Sequence, residues 1–272
     1  MITANDVVED ISAGVSKALR TSEFLLGAEA INTGYPRIEP EYLITVEVAR
    51  QLSKLDRIVG IEVHMEDLKT SAHRKATLNA FLKYKSRKDH AYKARGAEIN
   101  TILAKPEFQF SKKGSGKKRI DIGVFSPEKE PLLIAEAKLG SRPPSKIIAD
   151  IDRVIKLLQM HKELAVDDNL YGAIFFYRML RGGSDAGVRG RAKSLLARIN
   201  SYLEAEKVKP GQEWIKSKAN LLTRGSVAGA VQVYEESHED GATEQVFARK
   251  GYAFAPGLVL LGRADDVETV MF

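Results

Sequence analysis

The sequence has no cysteine among its 272 residues, which excludes disulfide staples, thiolate zinc sites and cysteine nucleophiles. Any metal must be held mainly by oxygen or histidine. The five histidines, His64, His73, His90, His161 and His238, show no short ligand spacing, which argues against a zinc enzyme and reads them as surface residues. No apolar run approaches the roughly 20 residues that span a bilayer, and the opening MITANDVVED lacks the basic start and apolar core of a signal peptide. A cytoplasmic chain with no membrane partner is expected. There is no internal repeat and no low-complexity segment.

A phosphate-binding loop is also missing. Gly114-Ser115-Gly116-Lys117 suggests one, but Ser111 stands where the first glycine is required and Lys118 replaces the Ser or Thr, so a basic hairpin turn and no nucleotide cofactor are expected. Gly182-Gly183-Ser184-Asp185-Ala186 falls short of a nucleophile elbow, because Ala186 replaces the last glycine and Met179 to Arg181 separate it from the preceding strand.

What is present is an ordinary globular composition, 44% hydrophobic and 29% charged, long enough to bury a sizeable core. Lys and Arg number 42 against 36 acidic residues, a net charge of +6 that permits a polyanionic partner. The basic residues bunch at Lys83, Lys85, Arg87, Lys88, Lys93 and Arg95, and again at Lys112, Lys113, Lys117, Lys118 and Arg119. Both runs fit solvated loops or a helix end as well as phosphate contacts.

The pattern predicts an α/β chain forming a single domain over 1–272: a helical cover over 1–34, a core over about 41–177 and a β extension over about 207–272. Val7, Val8, Ile11, Val15 and Leu19 form one stripe of one or two short helices. Pro40 opens a helix to about Leu55, Arg57 to Met65 alternates as a strand, and a helix follows from about Leu68 to Tyr84. Phe108 to Ser111, Arg119 to Phe125 and Leu132 to Lys138 read as a three-strand meander. A helix from Pro143 to about Leu164 and the strand Tyr171 to Tyr177 complete a βαβ crossover. After a loop from Arg181 to Gly190 comes a helix to about Glu206. Val227 to Glu235, Gln245 to Arg249 and Gly257 to Leu261 read as strands around a Ser237 to Gly241 turn, a hairpin appended to the main sheet.

Alternation places Arg119 and Asp121 on one face of their strand, with Ile120, Ile122 and Val124 on the other. The same period puts Glu136 and Lys138 on one side of the next strand, at the end of the apolar run Leu132-Leu133-Ile134-Ala135. A carboxylate there is costly unless paired or metal-bound. Paired through a short loop, the strands bring Asp121 and Glu136 together, a donor set that suits magnesium, with Lys138 able to orient a water and stabilise phosphate charge. Taken singly, each residue also fits a salt bridge between strands.

Asp121 followed by Glu136-Ala137-Lys138 on the next strand resembles the PD-(D/E)xK superfamily of restriction enzymes, resolvases and repair nucleases. The segment Arg119 to Ile122 and the following helix and strand look like that core, and the resemblance spans roughly 41 to 177. Ile120 stands where the name-giving proline would be. The resemblance implies a restriction-endonuclease-like mixed sheet flanked by helices and a magnesium-dependent phosphodiesterase acting on DNA, manganese substituting, in restriction, repair or mobile-element defence. It implies Asp121 and Glu136 as metal ligands and Lys138 as catalytic lysine. An acid on a preceding helix is expected as well. Glu41 is the choice, sharing a stripe with Thr45, Val48, Leu52 and Leu55, whereas Glu47 lies off it; Glu98 is the alternative. A Glu in a first helical turn is also favoured by the helix dipole alone. Gln159 is a further candidate, equally readable as solvent-facing. Lys112, Lys113, Lys117, Lys118 and Arg119 would contact nucleic acid, and homodimerisation stays open. The competing reading is a non-catalytic nucleic-acid-binding or regulatory protein that keeps the fold.

Overall fold

A computed structural model describes residues 2–31, 40–54, 56–86, 88–110, 118–139, 143–166, 170–181, 185–207, 209, 211–222, 227–230, 233–237, 243–247 and 252–272. The elements run α1 (Ala4–Ile31), α2 (Pro40–Leu52), β1 (Ile58–His64), α3 (Met65–Tyr84), α4 (His90–Ala104), β2 (Arg119–Phe125), β3 (Pro131–Leu139), α5 (Pro144–Glu163), β4 (Tyr171–Arg181) and α6 (Asp185–Lys207). β5 (Lys216–Leu221), β6 (Val227–Ala230), β7 (Val233–Ser237), β8 (Thr243–Phe247), β9 (Tyr252–Gly262) and α7 (Asp266–Thr269) follow. No described helix is long and apolar enough to cross a membrane.

The main sheet is mixed, ordered β1-β2-β3-β4-β9-β5, with β6 also pairing β9. β1, β2 and β3 are antiparallel neighbours, while β3 and β4 run parallel across the α5 crossover. The meander therefore exists, but its first strand is β1. Phe108 and Phe110 are both buried in the core beside a short 3-10 turn at Pro106–Phe108, so burial rather than pairing made that segment look like a strand. α4, capped by Asp89 through its contact with the Ala91 N–H, fills the interval that the sequence reading left without an element.

Each face of the sheet carries its own apolar core. On one side Ile134, Ile174, Phe176 and Val259 pack under α3, α5 and α6; on the other Ala135, Ala137, Phe175 and Leu258 pack under α1 and α2. α1 is one continuous helix of 28 residues, longer than the one or two short helices expected. It crosses α2 so closely that a Cβ on Gly14 would lie 2.5 Å from the Val48 Cα, so only glycine fits. Val48 and Leu52 are fully buried, each worth about 2 kcal/mol. That anchoring fixes where the first turn of α2 points.

The C-terminal region departs furthest from expectation. β7 and β8 form a separate two-stranded sheet rather than a hairpin appended to the main one. The main sheet is extended by β9, eleven residues long, between β4 and the unanticipated β5. α6 begins at Asp185, inside the segment expected to be a loop.

Candidate active site

The described β2–β3 register pairs Ile122 with Ala135, and beyond that rung the strands separate. Asp121 takes over there: its Oδ2 accepts the Ala137 N–H at 2.8 Å, a side chain standing in for a ladder carbonyl. Glu62, on the β1 rung that faces Asp121, has φ +54°, a left-handed conformation uncommon outside glycine. Alternation breaks at this point. Ile120 belongs to the core under α5, whereas Ile122 and Val124 belong to the core under α1 and α2, not to one shared face as the sequence suggested.

The fork in the strands is lined by charge. Glu136 is 1% exposed and its Oε1 accepts from Arg153 Nη1 at 2.7 Å. The other arm of Arg153 donates to Asp150, one turn earlier on α5. Lys138 Nζ lies 3.5 Å from Glu41, 3.6 Å from Asp150, 3.7 Å from Glu136 and 3.9 Å from Asp121. Four carboxylates supplied by α2, β2, β3 and α5 thus surround one ammonium group at the C-terminal end of β3.

Two cations against four carboxylates leave an excess of negative charge, and the proton equilibria record it. Burial first, then the Asp121 carboxylate, pushes Glu136 up to about 9 despite Arg153 and Lys138. Burial likewise raises Asp150, against the pull of Lys138 and Arg153. For Lys138 burial works downward, but the attraction of Glu136, Asp150, Asp121 and Glu41 more than offsets it and raises the pKa.

Two more polar atoms bear on the site from the α2 side. Glu41 Oε2 and the Tyr177 hydroxyl are buried and have no hydrogen-bond partner among the described residues. Burial, then the charge of Glu41, raises Tyr177. No group of three or more His, Asp or Glu among the described residues is arranged to hold a metal ion as it stands, since Lys138 occupies the point on which the carboxylates converge. The donor chemistry nonetheless fits a hard divalent cation: Asp121, Glu136 and Asp150 offer oxygens, and the charge excess and the orphaned Glu41 oxygen leave capacity for one.

Glu41, Asp121, Glu136 and Lys138 are brought together; the other candidates are not. Glu98 is exposed on α4 and pairs with Arg95 at 2.7 Å, because the stripe of α4 that packs inward is Ile99 and Ile102. Gln159 donates to Glu163 at 3.0 Å and sits nine residues beyond Asp150, roughly 13 Å along the helix, too far to enter the cluster. Glu47 pairs with Lys17 on α1. Lys118 and Arg119 are exposed, Arg119 against Glu62. Lys112, Lys113 and Lys117 lie outside the described residues.

Asp150, Arg153 and Tyr177 are the residues that sequence reasoning missed. Asp150 had a signal. It falls on the α5 stripe of Ile147, Ile151, Val154 and Leu158, where an acid is expensive without partners. Comparison of the chain with protein-family models, curated proteins and solved structures finds no match in any of the three.

Proposed function

We propose that this chain is a metal-dependent phosphodiesterase of the restriction-endonuclease-like, PD-(D/E)xK type, acting on nucleic acid, with DNA as the first substrate to test. The observation that carries the reading is the convergence of Glu41, Asp121, Glu136 and Asp150 on Lys138 at the fork between β2 and β3. Asp121, Glu136 and Asp150 would hold magnesium, with manganese substituting. When bound, the cation supplies a more acidic water and a counter-charge for the phosphate.

The remaining chemistry falls to the chain's own groups. Lys138 would turn its Nζ away from Asp121, Glu136 and Asp150, the residues that would hold the cation, and toward the attacking water and the phosphate oxygens, where positive charge is worth most as charge develops. Arg153 holds Glu136 and Asp150 in one orientation, so the ligands need little rearrangement. Glu41 keeps Lys138 at the mouth of the fork, and the dry wall of Ile120, Ile134 and Ile174 limits competing water.

A second reading follows from the same contacts. With Lys138 serving as the site's permanent cation, the cluster would be a structural knot in a nucleic-acid-binding or regulatory protein. Asp121→Asn separates the two, because it retains an acceptor for the Ala137 N–H while removing the charge. The nuclease reading expects cleavage of labelled single-stranded, duplex or branched DNA with magnesium or manganese, lowered about a hundredfold or more in this variant. Absence of metal-dependent product from every substrate, or equal rates in both proteins, overturns it.

A further inference from the structure

Outside the carboxylate cluster, the strongest unexplained charge lies at the end of β4. Arg178 follows Phe176 by two residues, and Phe176 packs in the core beneath α6, so alternation brings Arg178 to that same side of the sheet. Arg191 and Arg198 are seven residues apart on α6, two helical turns, and therefore share a face. Both are exposed, and α6 packs on β4. Among the described residues none of the three arginines has a carboxylate at ion-pair distance, and Arg178 Nε is buried without a hydrogen-bond partner. Burial, then the charges of Arg191 and Arg198, lowers the Arg178 pKa. Three guanidiniums that repel one another, without a compensating acid, cost stability unless an anion joins them.

Their position relative to the cluster is set by the fold. In the parallel β3–β4 register Lys138 is level with Phe176, so Arg178 lies two residues farther out, roughly 7 Å along the strand, on the face that also carries Glu136. The Tyr202 hydroxyl, at the eighteenth residue of α6, donates to Asp152, the ninth of α5. The two helices run in the same direction from the sheet, so α6 starts about nine residues, roughly 13 Å, beyond the start of α5. The end of β4 and the stretch of α6 from Arg191 to Arg198 form a wall that runs from the level of the carboxylate fork to beyond it.

We propose that Arg178, Arg191 and Arg198 form a phosphate-binding wall that grips the backbone of a nucleic-acid strand and leads it to the fork. The ligand is the phosphodiester backbone itself, through guanidinium contacts that read no base. The proposal uses the nuclease reading only for the strand's destination; the binding stands on the arginines.

The test is anisotropy titration of the full chain with labelled 20-mers of duplex DNA, single-stranded DNA and single-stranded RNA over a range of salt, alongside cleavage of the same oligomers. Arg191→Gln with Arg198→Gln, both exposed, should weaken binding by roughly fivefold or more per lost contact near 0.15 M salt. It should also flatten the slope of log affinity against log salt by about 0.9 per duplex phosphate contact, or 0.7 on single strands. Arg178→Gln should do the same, with thermal unfolding as its folding control. The three oligomers decide whether DNA or RNA supplies the phosphates. Arginine-dependent binding without cleavage upholds the wall and removes the nuclease reading. Cleavage with affinity and salt slope unchanged in the double variant overturns the wall and leaves the nuclease reading intact. Absence of binding by the unaltered chain to any oligomer at low salt also overturns the wall.

Discussion

Replacing Glu136 with glutamine should make the metal-free protein more stable while removing its response to a divalent cation. In the unfolded chain this carboxyl titrates near 4.5; in the fold, burial and Asp121 push it up to about 9. At pH 7 it is ionised when unfolded and protonated when folded, so folding must take up a proton. A raised folded pKa contributes stability that is complete below the unfolded value and is lost as pH rises through the folded one. The window is therefore about pH 4.5 to 9, with a slope of about 1.4 kcal/mol per pH unit. Over the two and a half units between 4.5 and 7 the loss reaches about 3 kcal/mol. Glutamine keeps the shape and an Oε1 that accepts from Arg153, and it needs no proton.

The assay is urea unfolding of both proteins between pH 5 and 9, with EDTA and with millimolar magnesium. In EDTA, E136Q should be the more stable by up to about 3 kcal/mol at pH 7, with the gap widening toward pH 9. Magnesium should stabilise the unaltered protein by about 1.4 kcal/mol at ten times its dissociation constant and leave E136Q nearly unmoved. A variant less stable than the parent in EDTA, or equally stabilised by magnesium, refutes the argument. Such a result would mean that Glu136 is ionised and internally compensated, and the cluster's charge excess would not exist.

Lys138→Ala removes the cation on which four carboxylates converge, and should cost about 3 to 5 kcal/mol in EDTA, much of it restored by magnesium; unfolding with and without the ion measures both. Its cleavage rate should fall by a factor of about 10² to 10⁴ at saturating magnesium, read in single-turnover assays. His161, 2% exposed on α5, is lowered to about 4 by burial and then by the Arg263 charge, so it contributes stability above the ordinary 6.5 that is lost as pH falls toward 4. His161→Leu should abolish an acid limb of about 3 kcal/mol. The comparison is cleanest in the E136Q background, where the opposing Glu136 slope is absent.

Burial of His161 also corrects the expectation that the histidines are surface residues, and the reason applies to much that was hidden in the sequence. His161 and Asp150 both sit on the α5 stripe, and a stripe read only for its apolar members passes over its polar ones. Glu41, Glu136 and Lys138 were legible because helical period and strand alternation are local properties, and Asp121 was legible from its place in the motif although alternation breaks beside it. Their partners on α5 depend on how that helix lies against the sheet. β9 was legible only in its second half, Gly257 to Leu261; its first half, before Pro256, was missed, yet Pro256 O accepts the Leu222 N–H, and a Cβ on Gly257 would stand 2.5 Å from the Phe176 ring. The glycine is there because β9 must approach an aromatic side chain on β4, some eighty residues away in sequence, and local pattern carries no trace of that distance.

The same logic explains why the arginines of the proposed wall drew no attention in the sequence. Lys112 to Arg119 is conspicuous because its charges are adjacent in sequence, but Arg119, its last member, is already paired with Glu62. Arg178, Arg191 and Arg198 are scattered over twenty-one positions and become one group only when α6 folds back onto β4. Charge that is contiguous in sequence can spread into solvent or find local partners. Charge assembled by the fold cannot relax in that way. At Arg178 it is held partly buried, next to two like charges, and that placement is what the proposed contact with a phosphate rests on.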